Sequence, residues 1–579
     1  MIGIRMNSGD LLDLGQDASV GFTLVSPVFS GEVGYGSQSF SFQAPKTPRN
    51  EALLQHAELP STRGNARPYT ITLEWRGLPL GRGSMKLEKA APNGYRLSLT
   101  LDDAAVNQTL EAISLPEADL GGDIVINTDA DPAVQSAAML AHAAATTANY
   151  DSHVFFPVRN PDMFPDVVGS GFFEDTMNWW WDGTFHDRLT WDAHPDNTSG
   201  FAGFHALVPF FLSKWVLDQV LTQAGYTLDN QAWAAGDEMD TLAIYNNRSL
   251  LVPGDVMRGS ITPGQHLPSV TARSYYRGLR DLFGLFIKVR GNQIEQRALR
   301  DIAVDEAQVD WTDKTVSYYT EYPEQGAKTF GSAQDGDDQA TQSVDDEDAA
   351  RSLATWAELG FLPSQPSNAA TYFVESTNSY YQFDSAASQY ADLGAELRPF
   401  KRGSGDAKES HESIISTVAR QYDGTWLGAN TWIIPQVEQP LAGKVFDQYQ
   451  TSNQPYAPRL LFYRGLVQRQ IGFGPAVFTP DYPQATASDL DGTYQNSLYW
   501  RGDRGLYANW WQTWDELMAN AKQVVFTLKL DPAEVFAVQW DKRHRVRTRE
   551  GEAVGYLEEI KFNLTADGIQ LATVKMRVI

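Results

Sequence analysis

His186, Asp187, Asp192 and His194, in the segment FHDRLTWDAHPD, form the densest cluster of metal-ligating side-chain types in the chain. A divalent ion needs three or four such ligands converging at about 2.0–2.2 Å, which helical i, i+4 spacing or a fixed turn supplies. Here the spacings are one, five and two. They match no ligand template, so the cluster reads as a structural loop. Calcium is the next chemistry to weigh, because acidic residues gather at Asp129 and Asp131, at 335–338, at 345–348, and at Asp489 and Asp491. A helix-loop-helix calcium loop needs alternating oxygen ligands closed by a bidentate Glu at its twelfth position, and none of these stretches supplies it.

Catalysis finds no better footing. With 72 Asp and Glu residues, number alone brings some carboxylate pair into a cleft, so sugar hydrolysis stays as a third reading without positive support. No GxSxG elbow, HExxH or GxxxxGK[ST] occurs, and the absence of Cys removes disulfides, thiolate metal sites and thiol nucleophiles. The expectation is therefore a non-enzyme with no catalytic residues, no metal and no cofactor.

Two other sets of residues suit recognition. Trp179, Trp180, Trp181 and Trp191 could stack against sugar rings or a partner, as could Trp510, Trp511 and Trp514, although Trp fills cores equally well. At positions i, i+1 and i+4 of an expected helix, two of the latter three should be buried. In DKRHRVRTRE, residues 541–550, Arg545, Arg547 and Arg549 alternate and would share one face of a strand. That stripe suits contact with an acidic neighbouring subunit or with DNA in a channel, or else guards a sheet edge.

The elements that must carry these residues are mostly strands. Val20, Phe22 and Leu24 alternate, SFSFQ (39–43), TITLEW (70–75) and YRLSLTLD (95–102) follow, and PKTPRN (45–50) interrupts the pattern. The Ala-rich stretch 137–148 reads as helix, 150–200 as an aromatic packed loop region, and 207–221 as a helix stopped by Gly225 before a strand at 226–228.

Residues 267–299 form a complete unit. Thr271 caps a helix whose Tyr275, Leu279, Leu282 and Phe283 recur at three and four, and Gly284 stops it. A strand over 285–289 then turns at Gly291 and Asn292 into a partner strand over 293–299, with Ile294 facing inward. TYFVE (371–375) and YYQFD (380–384) suggest a hairpin joined at Asn378. The last hundred residues read as a helix over 510–521 followed by four strands, QVVFTLKL, HRVRTRE, GYLEEIKFNL and IQLATVKMRVI.

At 579 residues the chain exceeds one core and suggests roughly four domains. The fold class expected is α+β and β-rich, multidomain, with β-barrel-like and helix-on-hairpin domains and a C-terminal β domain. The division is 1–120, an N-terminal β domain with an appendage; 121–200, an irregular aromatic and helical connector; and 201–330, an α+β domain of helix-Gly-strand modules. An acidic loop or linker (331–350), a β-rich domain (351–470) and a C-terminal α+β domain (471–579) complete it. There is no apolar run of membrane-spanning length and no signal-peptide pattern at the start, which predicts a chain without a membrane span. The net charge is −26, and Lys supplies only 15 of the 46 basic residues. Such acidity suits solubility at high salt, pointing to a halophilic source, and opposes sequence-specific duplex binding.

Taken in order, several segments resemble the large tail proteins of tailed phages of Bacteroidetes-like bacteria. They are SFSFQAPKTPRN (39–50), VFFPVRN (154–160), LVPFFLSKWVLDQVLTQAGYTL (207–228), HLPSVTARSYYRGLRDLFGLFIKV (266–289), PRLLFYRG (458–465) and LYWRGDRGLYANWWQTWDELM (498–518). The segment 266–289 is also similar to a module of phage late control and hub proteins. The resemblance implies a tail-tip or baseplate hub: a closed ring, expected as a homotrimer, joining the tail tube to the tip and enclosing the channel for DNA and the tape-measure protein. Its implied partners are itself, the distal tail or tube protein, the tape-measure protein and tip or fibre proteins. Its implied place is the virion tail tip after synthesis in the host cytoplasm. No peptidoglycan-hydrolase motif accompanies it. The rival reading is a glycan- or receptor-binding tail protein using the tryptophans at 179–191, and the similar patterns at 207–228 and 267–289 suggest an internal duplication.

Overall fold

Alternation along VGFTLV buries Val20, Phe22 and Leu24 on one face of the strand Val20–Val25, as the period of a half-buried strand requires. The computed structural model describes residues 2–15, 18–30, 36–39, 41–59, 68–101, 103–159, 176–181, 183–187, 207–246, 248–252, 256–322, 328–332, 351–353, 371–374, 379–384, 389–392, 401–402, 409–417, 421–426, 429–433, 458–471, 477–487, 494–500 and 502–579. The acidic stretches at 335–338 and 345–348, Asp489 and Asp491, Asn378, Trp191, Asp192 and His194 lie outside these residues.

The fold is α+β and β-rich. Its largest element is a 13-stranded sheet. The main path runs Ile2–Met6, Tyr69–Trp75, Leu78–Ala91, Gly94–Leu101, Gly36–Ser39, Val20–Val25, Gly551–Thr565, Gly568–Val578, Lys522–Leu528 and Thr315–Glu321. Phe42–Pro45, Gln308–Asp310 and Arg543–Thr548 pair off this path. The two ends of the chain meet where Val20–Val25 runs antiparallel to Gly551–Thr565, from Val20 opposite Leu564 to Val25 opposite Glu559. Beneath that seam Phe22 stacks on Phe562 at 5.4 Å and meets the edge of Phe536 at 5.5 Å. Segments 1–120 and 471–579 thus contribute hydrogen-bonded neighbours to one sheet.

The unit at 267–299 takes the expected form. Thr271 accepts a hydrogen bond from the Ser274 amide at 3.2 Å and starts the helix Ala272–Phe283, burying Tyr275, Leu279, Leu282 and Phe283. Gly284 ends it with φ 55° and ψ 53°, a conformation that costs other residues energy. A Cβ there would also meet the Trp511 ring at 3.3 Å. Leu285–Arg290 and Gln293–Ala298 form the hairpin, with Ile294 buried. Thr227–Asn230 joins in parallel along Gln293–Ala298, so the two helix-Gly-strand patterns share one sheet. Tyr275 donates to Ser213 Oγ at 2.7 Å, tying the two helices together.

Local expectations change in several places. The helix foreseen over 207–221 begins only at Ser213 and runs Ser213–Gln223. The residue before Pro209 is held out of helical geometry, and Phe210–Phe211 pairs instead with His153–Val154. SFSFQ divides between two strands, Gly36–Ser39 and Phe42–Pro45, and PKTPRN includes the start of a short helix, Pro48–Leu53, capped by Thr47. The Ala-rich helix starts earlier, over Pro132–Thr146, with the Asp131 carboxylate accepting from the Ala133 amide.

Near the C-terminus a π-helical turn, Tyr507–Trp511, precedes the helix Gln512–Ala519. Trp510, Trp511 and Trp514 are all buried. Neighbours surround this segment on several sides: Trp510 meets Phe283 at 5.3 Å, Trp511 meets Phe330 at 5.3 Å, and Trp514 meets Tyr556 at 5.1 Å. The hairpin foreseen from TYFVE and YYQFD is present as Thr371–Val374 against Ser379–Asp384. Among the described residues, no helix is long and apolar enough to cross a membrane.

Candidate interaction surfaces

The arginine-bearing strand is Arg543–Thr548, held between Gln308–Asp310 in parallel and Gly551–Thr565 antiparallel. Arg543, Arg545 and Arg547 alternate along it, whereas Arg549 lies in the turn beyond its end, because the hairpin turns back at once into Gly551. Arg543 is an internal strut, donating to the Ala303 carbonyl at 2.7 Å and to the Tyr556 hydroxyl at 3.2 Å. Arg545 is neutralised within the chain, pairing with Asp310 at 2.7 Å and Glu552 at 3.4 Å. The Asp310 carboxyl is held at about 2, first by the Thr312 amide and hydroxyl and then by Arg545. Only Arg547 and Arg549 stand exposed.

Between these arginines His544 points inward, fully buried, with its ring 4.4 Å from Trp311. Burial holds its imidazole down at about 4. The loop before the strand anchors the sheet to the helix-hairpin unit: Arg297 donates to Asp541 at 2.8 Å and to Asp305 at 3.2 Å, and Lys542 donates to Asp305 at 2.6 Å.

Next to the arginines lies the last strand of the large sheet, Thr315–Glu321, which pairs with Lys522–Leu528. The Arg547 amide donates to Thr315 Oγ1 at 3.2 Å and the Arg549 amide to the Tyr318 hydroxyl at 3.1 Å. Val316 is 52% exposed, Tyr319 58%, and Tyr322, just past the strand, 88%. The sequence reading missed this strand, although TVSYYT is rich in the β-branched and aromatic residues that favour strands.

The tryptophan segment is a small hairpin, Trp180–Trp181 against Thr184–Phe185. Trp179 is buried and stacks on Trp181 at 6.3 Å, while Trp180 and Trp181 are half-buried and Trp180 packs on Phe185 at 4.8 Å. His186 bonds through Nε2 to the Trp181 carbonyl at 3.1 Å, and Ser136 donates to the Asp187 carboxylate. These described members of the metal-like cluster are thus built into the hairpin and its supporting helix. Among the described residues, no group of three or more His, Asp or Glu is placed to hold a metal ion.

Nearby, the Nε2 atoms of His142 and His153 lie 2.9 Å apart, so one ring must donate and the other accept. Burial, assisted by His142, holds His153 at about 3. The spacing of these two histidines gave no signal in the sequence, because the fold brings a helix and a short strand together to make the pair.

No protein-family model and no curated protein matches the chain. Solved structures with a similar arrangement include the 43 kDa tail protein of prophage MuSo2 from Shewanella oneidensis, at 8% identity and TM-score 0.34, covering 99% of this chain and 97% of that one. A tail protein from Neisseria meningitidis MC58 aligns at 7% identity and TM-score 0.30 over 100% and 95% of the two chains. Prophage tail protein gp18 from Listeria monocytogenes EGD-e aligns at 7% identity and TM-score 0.31 over 100% and 94%. Superposition this loose carries no argument about what this chain does.

Proposed function

We propose that the chain is a structural, non-enzymatic protein of a phage tail, acting at the tail tip or baseplate as a hub. In this reading it assembles with itself into a closed ring, a homotrimer, that joins the tail tube to the tip and surrounds the passage for DNA and the tape-measure protein. The observation that carries the reading is the ordered set of segments resembling large tail proteins, in which 266–289 has the form of the hub-type module, a short helix ending in a glycine that leads into the hairpin completed by Gln293–Ala298. The β-rich build supports it, since sheets with an open edge lend themselves to pairing between subunits. The net charge of −26 suits a wall past which DNA moves without being held and a virion from a saline habitat. Tube, tape-measure and tip or fibre proteins are the neighbours this role requires.

Electron micrographs of the purified protein test the proposal: rings with a central pore are expected. A monomer that binds host polysaccharide would contradict it and favour the rival, a glycan- or receptor-binding tail protein. Half-exposed Trp180 and Trp181 support that rival.

A further inference from the structure

We propose that the edge strand Thr315–Glu321, together with Arg547 and Arg549, is the surface on which a second copy of this chain docks, through that copy's acidic face at 117–131. The inference names the contact behind the closed ring and rests on that reading.

Open sheet edges are normally blunted by charge, proline or a covering segment. The opposite end of the same sheet is covered in this way: Leu12 donates its amide to the Ile4 carbonyl at 2.9 Å, and Met6 donates to the Asp10 carbonyl at 2.7 Å. At the Thr315–Glu321 end, no further strand pairs among the described residues. Its residues TVSYYT are uncharged, and the one acid, Glu321, is met by Lys575 at 3.6 Å. The edge presents Val316, Tyr319 and Tyr322 to solvent. Such a strand, uncharged along TVSYYT and without a partner on its outer side among the described residues, is a template for another chain.

Charge selects the partner. Neither the Arg547 nor the Arg549 side chain pairs with a carboxylate among the described residues, in contrast to Arg545, and both are fixed beside the edge by their amides. Between Arg96 and Arg159 the sequence contains no Lys or Arg at all. In that stretch Glu117, Asp119, Asp123, Asp129 and Asp131 are exposed, next to Val125, itself 59% exposed. The main charges of the two surfaces are opposite in sign: an uncharged edge beside Arg547 and Arg549, with exposed Glu550 following them, against exposed Val125 among carboxylates, with exposed Arg258 close to its strand pair. A two-fold contact would set Arg547 and Arg549 against their own copies. A head-to-tail contact avoids that and, repeated with the right rotation, closes into a ring.

The test is the mass of the full-length protein by light scattering, in about 0.1 M and about 1 M salt, for the wild type, Tyr319→Lys, the pair Arg547→Glu and Arg549→Glu, and the pair Asp123→Arg and Asp129→Arg. All these positions are at the surface, and circular dichroism confirms folding. Each variant is expected to fall to the mass of one chain, and mixing the two charge-reversed pairs should restore association. If the wild type is an oligomer but every variant keeps its mass, this contact is wrong while the ring reading stands. If the wild type is a monomer, both fall. If the arginine pair keeps its mass but loses retention of short duplex DNA in a mobility-shift assay, the arginines serve DNA and the proposal is overturned.

Discussion

Leu282 shows how far one residue's role can be read from spacing alone. It falls on the face with Tyr275, Leu279 and Phe283, and all four are buried. Leu282→Ala should cost about 2–5 kcal/mol through lost contacts and a residual cavity, measured as a lower urea midpoint; an unchanged midpoint would contradict its placement in the core. Its neighbour Gly278 was not legible in the same way. A Cβ there would come within 2.7 Å of Ile415, a partner more than a hundred residues away that no local pattern reveals.

The buried histidines give a pH dependence. His544 and His153 sit well below their ordinary value of 6.5 because burial disfavours the charged imidazolium. Between pH 6.5 and about 4 for His544, or about 3 for His153, the unfolded chain binds protons that the fold refuses, so stability rises with pH there. Their contribution is fully present above 6.5 and is lost on acidification, at up to about 1.4 kcal/mol per pH unit for each. His544→Gln should therefore shrink the fall in urea midpoint between pH 7 and pH 4.5. An equal fall in both proteins would refute the assignment.

Among elements, legibility followed sequence distance. The helix-hairpin unit was readable because every determinant lies within 267–299: the cap at Thr271, the apolar period and the glycine stop. Thr271→Ala should cost about 0.5–2 kcal/mol by orphaning the Ser274 amide, and a thermal midpoint equal to wild type would show that the cap contributes nothing. The helix over 207–221 was misplaced at its start, since the pairing of Phe210–Phe211 with His153–Val154 outweighs an apolar run that looks helical. For Arg545, Arg547 and Arg549 the alternation was right for the strand and failed one residue past its end. Which arginine is neutralised depended on Asp310, which lies 235 residues away.

For the whole molecule, composition and turn density were enough to foresee a β-rich α+β chain, but not that strands from both termini complete one sheet. That pairing depends on register between Val20–Val25 and Gly551–Thr565, which neither segment specifies alone. Among the described residues the same sheet ends at Thr315–Glu321, so architecture and proposed assembly meet at one place. In the proposed role the chain acts as a closed oligomer. The mass of the purified protein at high salt, followed over a wide range of concentrations, tests it most directly. A constant multiple of the chain mass, three for the proposed homotrimer, is the predicted result, and a strictly monomeric mass throughout would contradict the account.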